Sequence, residues 1–251
     1  MSAPKVLVHP DAELLAAGVA ARLISRLVEV LAERETASVV LTGGGSGLAA
    51  LAAVAASPAR DAVDWGRVDF WWGDERFLPS GDPERNETGA REALLDAIPV
   101  DPARVHVMRG PDGPDGDDAD ASAARYAAEL AAAAAGREPA VPAFDVLMLG
   151  VGPDAHIASL FPGQEAVHEA GRTAVGVHGS PKPPPTRISL TVPAIRAAEE
   201  VWVIAAGAGK AEAVRLGLAG ADPAEAPVAA ARGRRATLYL LDREAASALP
   251  S

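Results

Sequence analysis

Short apolar runs alternate along the chain with longer stretches whose apolar residues fall at helical spacing. Runs at 5–9, 38–41, 67–72, 146–149, 200–205 and 237–241 read as strands; those at 38–41 and 200–205 read as buried, and 146–149 has the pattern of a strand buried on both faces of a parallel sheet. Between the first two, Leu14, Leu15, Leu23, Ile24, Leu27, Val28 and Leu31 share one helical face, predicting a helix opened by Pro10-Asp11 and running to about Arg34. Further helices are predicted over 48–56, 87–98, 122–135 and 193–198, from Gly207 through Leu218, and as a short element capped by Asp242. Lesser strands are predicted at 104–108, 173–178 and 188–192. Strands alternating with helices imply an α/β fold: a doubly wound, mainly parallel, Rossmann-like sheet flanked by helices. No Ser/Pro linker and no internal repeat divides the pattern, so one domain over residues 1–251 is expected.

The stretch 144–163, FDVLMLGVGPDAHIASLFPG, organises the rest. Its strand breaks into Gly150, Gly152 and Pro153, a turn-forming cluster, and Asp154 then stands where it would cap a helix opening at Ala155 and His156. A carboxylate and an imidazole thus lie at the carboxyl end of a central strand, where open α/β sheets bind ligands. Asp154 has two readings: helix cap, or a partner that orients and tunes His156.

Three other segments carry candidate chemistry. Thr42-Gly43-Gly44-Gly45-Ser46-Gly47 joins a strand to a helix, an arrangement in which backbone N–H groups and the helix N-terminus hold an anion. It matches neither the Walker A nor the dinucleotide fingerprint, and a tight turn that binds nothing has the same pattern. Trp71 and Trp72 point to opposite faces of their strand, so at least one belongs to the core. Gly73-Asp74-Glu75-Arg76 follows; the Arg76 guanidinium suits a phosphate or carboxylate, or an ion pair with an acidic neighbour. In Lys182-Pro183-Pro184-Pro185-Thr186-Arg187 three prolines hold the chain extended, presenting Lys182 and Arg187 as a cationic clamp or as a solvated loop. Lys210 opens a helix at the same sheet edge. The acidic, Pro/Gly-rich 110–120 reads as a surface loop.

Composition narrows the function. Of 251 residues 49 % are hydrophobic, enough for a substantial core, and none is cysteine, which excludes disulfides, thiolate metal sites and a cysteine nucleophile. With no paired-histidine spacing either, no metal and no cofactor are expected. A formal charge of −11 argues against a nucleic-acid partner and means that a phosphorylated ligand needs locally concentrated Arg and Lys. No run of eighteen apolar residues suggests a membrane span, and the N-terminus lacks the secretory pattern. A cytoplasmic monomer or weak homodimer is the expectation.

The segment GVGPDAHIASLFPG also resembles the active-site segment of the 6-phosphogluconolactonases, which usually read G-x-G-x-D-G-H-x-A-S-L-F-P. LTGGGSG, WWGDERFLP and KPPPTRISLT fall where that family has its own motifs, so the resemblance spans most of the chain. It implies metal-independent hydrolysis of a small sugar-phosphate lactone, 6-phospho-D-glucono-1,5-lactone, to 6-phosphogluconate in the oxidative pentose phosphate pathway. His156 would act as general base and then general acid, with Asp154 beside it. Arg76, Lys182, Arg187, Asp74 and the loop Thr42, Gly43, Gly44, Gly45 and Ser46 would hold the phosphate and the lactone oxygens. The family's pocket Asn, usually preceded by Ser, corresponds to Asn86, here preceded by Arg85. Ala155 stands where the family usually has Gly; at positive φ an alanine costs roughly 1–2 kcal/mol, and in a first helical turn nothing.

Two other functions fit parts of the pattern. The related glucosamine-6-phosphate deaminases continue toward Phe-Asn-Glu-Pro, where this chain has Ala158-Ser159-Leu160-Phe161-Pro162, and tend to read M-D-E-Y where it has Gly73-Asp74-Glu75-Arg76; both differences favour the lactonase. A non-catalytic sugar-phosphate sensor normally carries a DNA-binding segment, and no basic helix-turn-helix stretch is present.

Overall fold

The computed structural model describes residues 3–250. In chain order the elements are β1 (Lys5–His9), α1 (Ala12–Glu33), β2 (Ala37–Leu41), α2 (Gly44–Ala56), β3 (Val68–Trp72), β4 (Asp74–Arg76), α3 (Asn86–Ala93), α4 (Ala119–Ala133), β5 (Val146–Gly150), β6 (Ala174–Val177), β7 (Arg187–Leu190), α5 (Val192–Arg196), β8 (Glu200–Ala205), α6 (Ala211–Ala219) and β9 (Ala236–Asp242). Six strands form a parallel sheet in the order β1-β9-β8-β5-β2-β3. From β2 the chain winds outward to β3, whereas from β5 it winds the other way through β8 to β9. The reversal lies between β2 and β5, and there a crevice opens beyond the strand ends.

Alternation along each strand sorts the core into two layers. Val39, Leu41, Phe70, Trp72 and Met148 face α1 and α2, whose Leu15, Leu23, Leu27 and Leu51 are buried against them. Val40, Trp71, Leu147 and Leu149 face the opposite side, with Tyr126 of α4 and Ile188 and Leu190 of β7. Both tryptophans are therefore core. Helix α1 opens where the sequence indicates, with the Asp11 carboxylate accepting from the Leu14 N–H at 2.8 Å.

The strands predicted at 173–178 and 188–192 form as β6 and β7, but they join β4 in a separate antiparallel sheet, β4-β7-β6, rather than the main one. Gly73 is the junction: its N–H donates to Leu41 in the main sheet and its carbonyl accepts from Leu190 in the small one.

Five other predicted elements differ. Residues 104–108 make a single bridge, Phe70 to Val105, with the His106 N–H donating to the Phe70 carbonyl and its ring stacked on Trp71 at 3.7 Å. Helix α2 begins inside the glycine cluster, at Gly44 rather than Leu48, and α3 ends early, at Ala93. Among the described residues no helix follows Asp242; its carboxylate accepts from the N–H groups of Gly207 and Ala245 and so ties a run of turns to the start of the α6 connection. No helix opens at Ala155 either: the backbone there is a series of tight turns, with Ala155 at φ 66° and Ala158 at φ 48°.

Candidate active site

The crevice between β2 and β5 is a cleft of about 170 Å³. Thr42, just past β2, ties the two strand ends together, its Oγ1 accepting from the Gly150 N–H at 3.1 Å. Gly43 and Gly44 line the cleft and begin α2, and no side chain caps that helix, so its N-terminus keeps its capacity for an anion. Gly43 is required sterically: a Cβ there would lie 1.8 Å from the Asn86 Oδ1.

On the β5 side the chain closes a tight loop, with the Gly152 N–H donating to the His156 carbonyl and the Ala155 N–H to the Gly152 carbonyl. This loop turns His156 back over the glycine. A Cβ on Gly152 would lie 2.0 Å from the His156 Nδ1 and 2.3 Å from the Asp154 Oδ1. Positive φ at Ala155 is the costly alternative left open by the sequence; its methyl is buried and its carbonyl accepts from the Val228 N–H, which fixes the loop against the core.

His156 Nδ1 lies 2.5 Å from Asp154 Oδ1, and Lys182 Nζ reaches the same oxygen at 2.9 Å. A carboxylate only accepts, so Nδ1 carries the proton and donates, leaving Nε2 with a free lone pair. Lys182 Nζ stands 3.1 Å from the same Nδ1, two donors converging on one acceptor. Burial pushes the His156 pKa below its ordinary value; Asp154 opposes this and the nearby Lys182 charge adds to it. The imidazole is therefore neutral near pH 7. Burial raises the Asp154 carboxyl, but hydrogen bonds and charge from Lys182 and His156 outweigh it and bring the pKa to about 2. The ring of Phe161 packs against the imidazole at 4.5 Å.

Four cations, Arg76, Lys182, Arg187 and Lys210, line the cleft of this acidic chain. Arg187 is bolted into the proline loop, donating to the carbonyls of Lys182, Pro183 and Pro184, with its guanidinium 5.6 Å from the Phe161 ring centroid. Burial lowers the pKa of Lys210, and the Lys182 charge adds to that. Arg76 Nη1 donates to the Glu84 carbonyl at 2.5 Å, while its Nε is buried and without a partner among the described residues. Asp74 is held by the Ser159 hydroxyl at 2.7 Å and the Asn86 amide at 3.2 Å.

The structure thus gathers Thr42, Gly43, Gly44, Asp74, Arg76, Asn86, His156, Lys182 and Arg187 around one cleft, with Asp154 behind the histidine. It does not bring Gly45 and Ser46 into the lining, because the helix turns them away from the opening. Asp154 caps no helix. Arg85 is buried and structural, donating to the carbonyls of Leu78 and Met108. Lys210 joins the cleft, its signal in the sequence being only its place just past a strand end. Nothing local in the sequence marks Ser159, whose partner Asp74 lies 85 residues away. Among the described residues no group of three or more His, Cys, Asp or Glu is arranged to hold a metal ion, and no helix is long and apolar enough to cross a membrane.

Residues 10–240 match the family model described as glucosamine-6-phosphate isomerases/6-phosphogluconolactonase. The chain is 62 % identical to a 6-phosphogluconolactonase of Streptomyces coelicolor, the alignment covering 98 % of this chain and 95 % of that one. It is 48 % identical to a 6-phosphogluconolactonase of Mycobacterium tuberculosis, over 97 % and 98 % of the two chains. Among solved structures, the 6-phosphogluconolactonase of Trypanosoma cruzi superposes with a TM-score of 0.83 at 27 % identity, covering 100 % of this chain and 99 % of that one.

Proposed function

That the chain belongs to the glucosamine-6-phosphate isomerase/6-phosphogluconolactonase family is the premise from which we propose how its cleft works. Its reaction is hydrolysis of 6-phospho-D-glucono-1,5-lactone to 6-phosphogluconate, a step of the pentose phosphate pathway. Opening a δ-lactone needs a water made nucleophilic, support for the oxyanion and a proton for the departing ring oxygen. His156 Nε2 takes a proton from the water as the oxygen attacks the carbonyl carbon. The imidazolium that results is stabilised by Asp154, and the same proton passes to the ring oxygen as the C–O bond breaks, leaving a carboxylic acid and a hydroxyl.

The single observation that carries this reading is the 2.5 Å contact from Asp154 to His156 Nδ1, which fixes the tautomer and aims the basic nitrogen away from the carboxylate. Charge on the phosphate and on the lactone oxygens is met by Arg76, Lys182, Arg187, Lys210 and the uncapped start of α2. Action in the cytoplasm, as a monomer or weak homodimer, is part of the same proposal.

The test is the rate of opening of freshly generated lactone above its spontaneous hydrolysis, for wild type and His156→Ala, with glucosamine 6-phosphate in parallel. Wild type accelerates ring opening, and the variant loses about 10²–10⁴-fold while keeping its fold. Undiminished activity in the variant removes the base from the mechanism, and ammonia released from the amino sugar moves the chain to the sibling activity.

A further inference from the structure

Strand β4 brings Asp74 and Arg76 into the cleft, and strand alternation turns Glu75, between them, the other way. Glu75 is 1 % exposed, and its carboxylate is fully engaged. Oε1 accepts from the N–H of Arg76 at 2.8 Å and of Asn86 at 2.6 Å, Oε2 accepts from the N–H of Glu87 at 2.8 Å, and the Arg85 guanidinium stands 3.6 Å away. Helix α3 starts at Asn86, and the residue in the capping position, Arg85, makes no side-chain cap. The first two N–H groups of the helix, which a helix cannot satisfy internally, are therefore taken by a carboxylate from another element. Negative charge there is also favoured by the helix dipole.

What this cap holds matters to the cleft. Asn86 donates from Nδ2 to the Asp74 carbonyl at 2.8 Å and to the Asp74 carboxylate at 3.2 Å, and its Oδ1 fills the space beside Gly43. One buried carboxylate thus fastens the first turn of α3 to the strand that carries Asp74 and Arg76. We propose that Glu75 is a positioning residue: it aligns Asn86 with Asp74 and Arg76 for the substrate without touching the substrate itself. This rests on the lactonase reading.

The test compares steady-state lactone hydrolysis by wild type, Glu75→Gln and Glu75→Asp, each with its folded fraction measured by near-ultraviolet circular dichroism. Glutamine keeps the shape but turns a donor toward an N–H; aspartate keeps the charge one methylene short. Because the groups that Glu75 aligns bind substrate, Glu75→Gln raises KM about tenfold with kcat within about twofold, and Glu75→Asp falls between it and wild type. A fall in kcat at unchanged KM, which is what loss of folded enzyme produces, overturns the proposal, as does wild-type kinetics in both variants. If Glu75→Gln does not fold, Glu75→Asp decides by the same split between KM and kcat. Absence of any acceleration by wild type is a different result, which removes the lactonase reading itself.

Discussion

Gly152→Ala separates the geometry of the proposed base from the stability of the fold. The added Cβ would lie 2.0 Å from Nδ1 and 2.1 Å from Cε1 of His156, and 2.3 Å from Oδ1 of Asp154, whereas ordinary contact begins near 3.4 Å. The imidazole and the carboxylate must therefore withdraw by roughly 1 Å or more. Withdrawal takes the ring out of its present setting, in which it is held by Asp154, packed on Phe161 and close to Lys182. Gly152 is not among the residues at positive φ, so an alanine backbone is accommodated and the cost falls on the side chains. A displacement near 1 Å costs about 10²-fold in rate. The expected result is a loss of about 10²-fold in kcat for lactone opening, with a thermal midpoint within a few degrees of wild type. Wild-type kcat in a folded Gly152→Ala protein would refute the placement of His156 over this glycine.

Other outcomes follow from the same contacts. Because His156 must be neutral to accept a proton and burial holds its pKa below the ordinary value, kcat/KM is flat at neutral pH and falls on the acid side with a midpoint below 6.5. Asp154 raises that pKa, so Asp154→Asn moves the acid limb lower still and drops the plateau by about 10²-fold, read from a pH–rate profile. Lys182→Ala mainly raises KM, whereas Arg187→Ala raises KM and also frees the proline loop it anchors, seen as faster hydrogen exchange over 182–187. An unchanged KM in Lys182→Ala would take that cation out of the binding set.

Much of the fold was legible because burial on both faces writes itself into short apolar runs. The runs of β2, β3, β5, β8 and β9 needed no information beyond their own residues. On α1 the predicted Leu15, Leu23, Ile24 and Leu27 are buried, but Leu14 and Val28, read onto the same face, stand exposed at its margin. The small sheet was legible as strands but not as a separate layer, since nothing in β6 or β7 says which partner they take. Asp154 shows the limit most clearly. An aspartate after Gly-x-Gly-Pro looks like a helix cap, and only Lys182, 28 residues on, and the turned-back His156 give it a different task. For Glu75 the relation is inverted: a helix without its own capping side chain takes one from a strand 11 residues earlier, a distance that no local pattern records. Ala155 was legible as a question; its answer, positive φ, depends on a buried loop held by Val228.

The pairing of β1 with β9 has a consequence for the chain while it is being made. In the main sheet β1 has β9 as its one neighbour, in register from Lys5 with Leu238 to His9 with Asp242, and His9 Nδ1 contacts the carbonyl of Leu241, 232 residues away. At the usual pace of translation that partner appears on the order of 10–50 s after the first strand leaves the ribosome. The strands around the cleft, β2, β3 and β5, can meet well before then. The edge formed by β1, with Val6 and Val8 turned outward even in the finished molecule, has to wait. The edge strand β1 is thus seated only once β9 has been made.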